Sequence, residues 1–307
     1  MSDIQDRPDS FEEGGPEIHD EAPPRPVITL VTDFGLEDHY VGVMKGVILA
    51  TNPDVQIVDI SHSIPPFDVS AGALVLATSY HYFPNGTIHV AVVDPGVGGD
   101  RRSIIAATDH YLFVGPDNGC FTHIFDDPTF RWVRHLRTVE FFLEKVSSTF
   151  HGRDVYAPVA GHLSLGEPAE NFGPLIGDPI RLANAKPQVG EDGCIRGEVI
   201  YVDRFGNLIT NIDTVAFWEG ESRAGEADEN LIPVIEACGK RIRGMSEFYG
   251  AVRPGEVGAQ LNSWSRMEIF IPEGNAAREL GAGKGVPVHV RFERAGGADA
   301  PSIGGGL

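Results

Sequence analysis

The chain has 307 residues, of which 42% are hydrophobic and 22% charged. That balance excludes a wholly disordered chain, and the length favours two hydrophobic cores over one. A formal net charge of −20, from 44 acids against 24 Lys and Arg, repels nucleic-acid phosphate and anionic lipid, so neither is expected as a partner. No run of about 18 apolar residues predicts a membrane span, and no basic-then-apolar leader predicts secretion. Cys120, Cys194 and Cys238 are widely spaced and odd in number, which argues against a disulfide framework or a Cys-rich zinc site. A reducing cytoplasm is the expected location.

Residues 1 to 25 hold eight acids against Arg7 and Arg25, with several prolines and no apolar periodicity. They read as a disordered acidic tail that leaves about −14 on the rest of the chain. Order is expected from 26 onward. Val27 to Asp33 opens with an apolar run typical of a buried strand. His39 to Ala50 has helical spacing, ended by Asn52-Pro53. Gln56 to Ser61 predicts a second strand, Val69 to Tyr82 a second amphipathic helix with Asp68 near its start, and Thr87 to Asp94 a third strand. Strand, helix, strand, helix, strand is the signature of a parallel sheet. Ser103 to Ala107 and Tyr111 to Val114 read as further strands around a Thr108-Asp109-His110 turn, and Arg153 to Leu165 contains a third helix.

The pattern then changes. Prolines 174, 179 and 187 punctuate a linker expected over 174–192. Short strands follow at Gly197 to Val202, Leu208 to Ile212, Leu231 to Ile235, Met267 to Ile271 and Val286 to Phe292, with an acidic loop over Glu219 to Asn230. The expected architecture is an N-terminal parallel-sheet α/β domain over 26–173, a smaller C-terminal β-barrel domain over 193–294, and a flexible tail over 295–307.

In an open parallel sheet, ligands bind beyond the carboxyl ends of the strands. Three polar segments fall there. Asp33 ends the first strand; Asp59, Ser61 and His62 end the second; Asp94 ends the third and opens Asp94-Pro95-Gly96-Val97-Gly98-Gly99-Asp100-Arg101-Arg102. Such an acid can accept both hydroxyls of a ribose, cap a helix or bind a metal. The glycines let backbone approach a ligand closely. Asp94 and Arg101 can face each other across the loop, as a functional pair or as a structural ion pair. Phe150-His151-Gly152-Arg153-Asp154 lies at a loop-to-helix junction, where His151 can donate to a carboxylate or hold a water. Asp203-Arg204-Phe205-Gly206-Asn207 can form a hairpin turn, or present the Asn207 amide to a purine edge. Leu261-Asn262-Ser263-Trp264-Ser265-Arg266 collects donors suited to a carboxylate.

Other motifs fail on context. Asp33-Phe34-Gly35 has no upstream glycine-rich loop and lysine as in a kinase. Gly96-Val97-Gly98-Gly99 lacks the third glycine of a dinucleotide fingerprint and follows the third strand. There is no phosphate-binding P-loop and no clean zinc spacing, so neither a metal nor a cofactor is expected.

Thr32-Asp33-Phe34-Gly35, Asp59-Ile60-Ser61-His62, Asp94-Pro95-Gly96-Val97-Gly98, Pro116-Asp117-Asn118-Gly119, Phe150-His151-Gly152-Arg153-Asp154 and Phe205-Gly206-Asn207 occur in one order. Together they resemble the S-adenosyl-L-methionine (SAM) hydroxide adenosyltransferases, the adenosine-forming SAM hydrolases related to SAM-dependent fluorinases and chlorinases. The match covers about residues 27 to 293. The resemblance implies a homotrimer with each active site between the N-terminal domain of one subunit and the C-terminal domain of its neighbour. It implies SAM as substrate, with water attacking C5′ in an SN2 step to give adenosine and L-methionine. Asp94, Arg101 and His151 match the set that handles the water, and Asp33 matches the ribose-binding acid. Phe67, Phe150 and Phe205 fall to the substrate-binding set. Asp203 and Asn207 match the positions for methionine's amino group and the adenine edge. Ser263 lies in the methionine-carboxylate segment, where the usual Asn-Ser-Tyr/Arg-Gly reads Asn262-Ser263-Trp264-Ser265.

The chemistry suits these residue types. A sulfonium leaves as a neutral thioether, so no general acid is needed. Water needs an aligned position and a base, for which Asp94 and His151 are both candidates, and Arg101 would orient Asp94 and favour its charged form. A halide site would call for neutral donors where Asp94 stands. The alternatives are a halogenase, a non-catalytic SAM- or adenosine-binding protein, and a nucleoside phosphorylase; the last would need a basic phosphate pocket in an acidic chain.

Overall fold

A computed structural model describes residues 25–183, 186–225 and 231–294. The acidic tail expected over 1–25, all but Arg25, and the tail expected over 295–307 lie outside the described residues.

The N-terminal half runs β1 (Val27–Thr32), α1 (Tyr40–Thr51), β2 (Gln56–Ser61), α2 (Val69–Ala77), β3 (Ile88–Val92), β4 (Ser103–Thr108), β5 (Leu112–Pro116), α3 (Thr122–Phe125), β6 (Phe130–His135), α4 (Ala157–Ser164) and β7 (Leu175–Ile176). The strands form one sheet in the order β2-β1-β3-β5-β4-β6-β7. β2, β1, β3 and β5 are mutually parallel, as the alternation of strands and helices predicts. β4, β6 and β7 add antiparallel pairings, so the sheet is mixed. The cause is local: the short Thr108-Asp109-His110 turn closes a hairpin, and only antiparallel strands can be joined that tightly.

Both faces of the sheet are covered at its centre, which is why β1, β3, β4 and β5 read as near-continuous apolar runs. Ile28, Leu30, Val90 and Val92 face one way, against Met44 and Ile48 of α1 and Val159 and Leu163 of α4. Val31, Ala91 and Val93 face the other way, against Ala71 and Leu76 of α2 and Phe121 and Ile124 near α3. The predicted second helix ends early, at Ala77, and Tyr80–Tyr82 forms a separate 3₁₀ turn. Thr78 and Ser79 donate their hydroxyls back to the last carbonyls of α2, which competes with continued helix.

The C-terminal half holds β8 (Gln188–Val189), β9 (Ile195–Val202), β10 (Leu208–Asp213), α5 (Thr214–Ala224), β11 (Leu231–Ala237), β12 (Lys240–Arg243), β13 (Gly258–Leu261), β14 (Arg266–Phe270), α6 (Ala276–Leu280) and β15 (Pro287–Arg294). The antiparallel order is β12-β11-β15-β9-β10-β14-β13, with β8 on β9. Just beyond β12, Ser246 N–H donates to the Ala259 carbonyl of β13 at 2.8 Å, so the sheet nearly closes on itself. Ile195, Leu208, Ile235, Met267, Ile269 and Val288 fill its interior.

The expected acidic loop over Glu219 to Asn230 is corrected in its first part, because α5 carries helix through Ala224; 226–230 lie outside the described residues. Asp213 starts that helix by accepting from Ala216 N–H at 2.8 Å, and Glu219 pairs with Arg223 one turn on. The two halves are tied where Lys284 reaches both Asp68 carboxylate oxygens, at 2.8 and 2.9 Å.

Candidate active site

The chain passes from β1 outward to β2 and then back to β3 on the other side, so the strand order reverses between β1 and β3. Ligand crevices form at such reversals, beyond the carboxyl ends of the strands. Thr32 and Val92 are register partners, so Asp33 and Asp94 leave the sheet on adjacent strands. Cys120 lies beneath them. Burial pushes its thiol up to about 12, and the charges of Asp94 and Asp33 add to the effect.

The Asp94–Arg102 loop folds back on itself, with Val97 N–H on the Asp94 carbonyl and Gly99 N–H on the Gly96 carbonyl. This returns Arg101 to Asp94 as a fork: Nε donates to Oδ1 at 3.0 Å and Nη2 to Oδ2 at 2.5 Å. Both side chains are almost wholly buried, 10% and 4% exposed. Burial opposes the charge on Arg101, but the Asp94 carboxylate outweighs it and the guanidinium pKa is raised. Nη1 also reaches Ser103 Oγ at 3.3 Å, which in turn lies 3.1 Å from Tyr156 Oη.

Arg101 Nη2 lies 2.8 Å from His151 Nδ1. Arginine only donates, so Nδ1 is the acceptor and the neutral ring carries its proton on Nε2. Burial, reinforced by the Arg101 charge, lowers the His151 pKa and agrees with that state. His151 begins a π-helical turn over Gly152–Tyr156 that runs into α4. The segment before it is pinned by the fully buried Asp154, whose Oδ2 accepts from both the N–H and the hydroxyl of Ser147. Phe150 is buried edge-on against Phe34 and Tyr40, and Gly152 is tight against Met44 and Phe150.

On the other side of the crevice, Asp33 Oδ2 accepts from Phe67 N–H at 2.8 Å, while Phe67 itself is 71% exposed and has φ of 67°. The Asp33 turn is held from behind. Thr32 Oγ1 accepts from Phe34 N–H and bonds His62 Nδ1 at 2.8 Å; His62 Nε2 lies 3.1 Å from Asp59, and Asp59 pairs with Lys45.

The C-terminal residues form a second cluster. Asp203 Oδ1 accepts from Phe205 N–H and Asn207 N–H at 2.9 and 2.8 Å, and Oδ2 accepts from Asn207 Nδ2 at 2.9 Å. The hairpin turn and the placement of the Asn207 amide are therefore one device. Phe205 projects from it, 74% exposed. Asp203 and Ser263 line a cavity of about 360 Å³ with Phe248, Tyr249 and Trp264. Among the described residues no hydrogen bond or ion pair joins this cluster to Asp33, Asp94, Arg101 or His151.

Residues 28–173 match the family described as the SAM hydroxide adenosyltransferase N-terminal domain, and residues 197–289 match its C-terminal domain. This chain belongs to the SAM hydroxide adenosyltransferase family. It is 36% identical over 283 residues to a protein of Thermus thermophilus named (R)-S-adenosyl-L-methionine hydrolase, covering 87% of this chain and 99% of that one. It is 42% identical over 198 residues to a Methanocaldococcus jannaschii protein of the same name, covering 62% and 69%. The crystal structure of an uncharacterized conserved protein from Thermotoga maritima superposes with a TM-score of 0.78 at 35% identity, over 86% of this chain and 99% of that one.

Several contributors escaped the sequence reading. Ser103 sits in an ordinary strand and Tyr156 closes the π-helical turn, and nothing in their spacing marks them as partners of Arg101. The sequence marks His62 by its strand-end position and its motif, but not as the support of Thr32. Glu268 alternates with buried Met267 and Ile269, which would point it to solvent, yet it is 2% exposed.

Proposed function

We propose that this protein hydrolyses S-adenosyl-L-methionine to adenosine and L-methionine, with a water oxygen attacking C5′ in line with the departing sulfur. The observation that carries this reading is the Asp94–Arg101–His151 array, with its ion pair buried and His151 half-buried, beside Asp33 at the strand-order reversal. Family membership supports it, as does the name (R)-S-adenosyl-L-methionine hydrolase that both relatives carry.

As the new C5′–O bond forms, the C5′–S bond breaks with its electron pair on sulfur, and the water must shed a proton. His151 Nε2 already carries a proton in the tautomer fixed by Arg101, so it donates rather than accepts. Asp94 is the base: each carboxylate oxygen keeps a lone pair beyond its bond to Arg101. Arg101 holds the carboxylate in place and balances its charge. Asp33 takes the ribose hydroxyls, and Phe67 and Phe150 flank the sugar. This carboxylate is also what disfavours a halogenase, since it would repel a halide at the same point.

Asp203, Phe205, Asn207 and Ser263 complete the site from a neighbouring subunit of a homotrimer. The exposed rings of Phe67 and Phe205, and the separation of the two clusters within one chain, support this arrangement. Mixing inactive Asp94→Asn and Asn207→Ala subunits under demonstrated exchange should restore part of the activity, because some interfaces then pair two intact halves. No recovery would count against a shared site. Three free cysteines accord with a reducing cytoplasm.

Burial lowers the His151 pKa below 6.5, so at pH 6.5 the ring stays mainly neutral, where an unperturbed imidazole would be half protonated. The acid limb of kcat is expected below pH 6.5, where protonation of Nδ1 would break the contact with Arg101. A limb above that value in the pH–rate profile would refute this tautomer.

The deciding experiment is incubation with each sulfonium epimer of SAM in halide-free oxygen-18 water. Adenosine labelled at its 5′ oxygen is expected. SAM binding without adenosine release would leave only a binding protein.

A further inference from the structure

Pro116-Asp117-Asn118-Gly119 stands among the segments that carry the family resemblance, yet none of its groups is assigned to SAM. Its place in the sheet is informative. β5 lies between β3 and β4, parallel to the first and antiparallel to the second. The Asp94–Arg102 loop leaves β3 and enters β4, so it crosses over the carboxyl end of β5. The turn that follows β5 therefore sits between the two feet of that loop.

Asn118 grips the first foot. Its Nδ2 donates to the Val93 carbonyl at 2.8 Å, and its Oδ1 accepts from Cys120 N–H at 3.2 Å, so the amide can face only one way. That carbonyl belongs to the peptide unit that carries Asp94. Asp117 grips the second foot. Its N–H donates to the Arg102 carbonyl at 2.9 Å, and its Oδ2 accepts from Arg102 Nε at 2.8 Å. The Asp117 side chain is 1% exposed, and its Oδ1 accepts from Ile180 N–H of the linker at 2.8 Å. The two arginines point apart: Arg101 turns to Asp94, and Arg102 turns to Asp117 and on to the exposed Asp178. Between the feet the loop rests on two internal backbone bonds, at Val97 and Gly99, and on the tight pass of Gly98 by Ser148. Asp94 and Arg101 stand at opposite ends of it, so the spacing of the feet sets their approach. A two-bond fork tolerates little change in that spacing, because hydrogen bonds weaken steeply off their preferred geometry.

We infer that Asn118 and Asp117 are positioning residues for the reaction, pinning the two feet of the catalytic loop so that Asp94 and Arg101 meet in register with the reacting carbon. The inference rests on the hydrolase reading and adds to it two residues that never touch SAM. Asn118 acts through Asp94 and Asp117 acts through Arg101. The ladders of β3 and β4 with their neighbours do not depend on either side chain, so loss of one grip moves the loop without dismantling the sheet.

The test measures SAM turnover and adenosine affinity in the full-length protein, well below the melting midpoint of each variant. Asn118→Ala is expected to lower kcat by about 10–100-fold, the scale of a displacement of about 1 Å at a reacting centre, with adenosine affinity held within about threefold. Added to Asp94→Asn, the same substitution should lower kcat by less than about threefold more, because a residue that acts through another is silent once that one is gone. A merely structural role would multiply the two losses. Asp117→Asn should lower kcat by about 10-fold, again with adenosine affinity held, and it carries the test if Asn118→Ala does not fold. Asp178→Ala removes only the exposed partner of Arg102 and should leave kcat within about twofold of wild type. Unchanged kcat in both turn variants, parallel loss of adenosine affinity, or multiplied losses in the double variant would overturn the assignment. So would an Asp178→Ala loss equal to that of Asp117→Asn, since the linker would then hold the loop. A wild type that releases no adenosine would sink the hydrolase reading and this assignment with it, whereas an active wild type with unaffected turn variants would sink this assignment alone.

Discussion

Asp94→Asn is expected to lower kcat by about 10²–10⁴-fold while KM for SAM moves only a few-fold. The substitution keeps the shape of the side chain and removes its charge. Arg101 presents two donors to two carboxylate oxygens, at Nε and Nη2. An asparagine amide can accept only one of them, and its NH₂ then faces the second donor. The base is lost, and Arg101 is left buried without its counter-charge. Breaking one side of a buried ion pair costs about 3–5 kcal/mol. Here the His151 and Ser103 contacts retain part of the guanidinium's hydrogen bonding, so the lower end of that range is expected. Kinetics must accordingly be read beside a melting curve. A large fall in kcat with adenosine affinity intact identifies a group that acts on the transition state. Parallel losses in SAM affinity and rate would instead make Asp94 part of the scaffold.

How much of this was legible from sequence depended on whether the signal was local. The central strands β1 and β3 carry near-continuous apolar runs because both sheet faces are covered there, while the edge strand β2 is broken by Asp59, and acids follow β1 and β3 where a crevice lies; these features are written in consecutive residues. Asp94 and Arg101 could be paired on paper because the intervening loop is short and glycine-rich. The antiparallel part of the first sheet was less visible, since a hairpin turn and a crossover leave similar polar residues behind. Helix α5 was hidden by its acids: Glu219 and Glu221 look like loop residues until Asp213 is seen capping the helix and Arg223 pairing one turn on. The Glu268–Gln260 contact depends on register between two strands, and register is a property of the assembled sheet. The same holds for the approach of Gly98 to Ser148, which joins segments about fifty residues apart.

That approach sets up the second large effect. Gly98 has φ of 76°, and a Cβ built there would lie 2.1 Å from the Ser148 carbonyl oxygen. Gly98→Ala combines a left-handed backbone on an L-residue, about 1–2 kcal/mol, with overpacking, typically about 1–3 kcal/mol. One of the two segments must move. The Ser147 side is the stiffer one, since Asp154 grips both its N–H and its hydroxyl and is itself held by Arg153. The Asp94–Arg102 loop is the side that yields, and it carries Asp94 and Arg101 away from His151 while leaving every functional group in place chemically. A displacement of about 1 Å at a reacting centre can cost about 10²-fold in rate. The expected result is therefore a folded protein of lower melting temperature whose kcat falls about 100-fold, with Asp33-dependent adenosine binding little changed. Gly98→Ala protein that melts and turns over like wild type would mean that the loop and the His151 segment are not mechanically coupled, and the three-residue array would lose its physical basis as one catalytic unit.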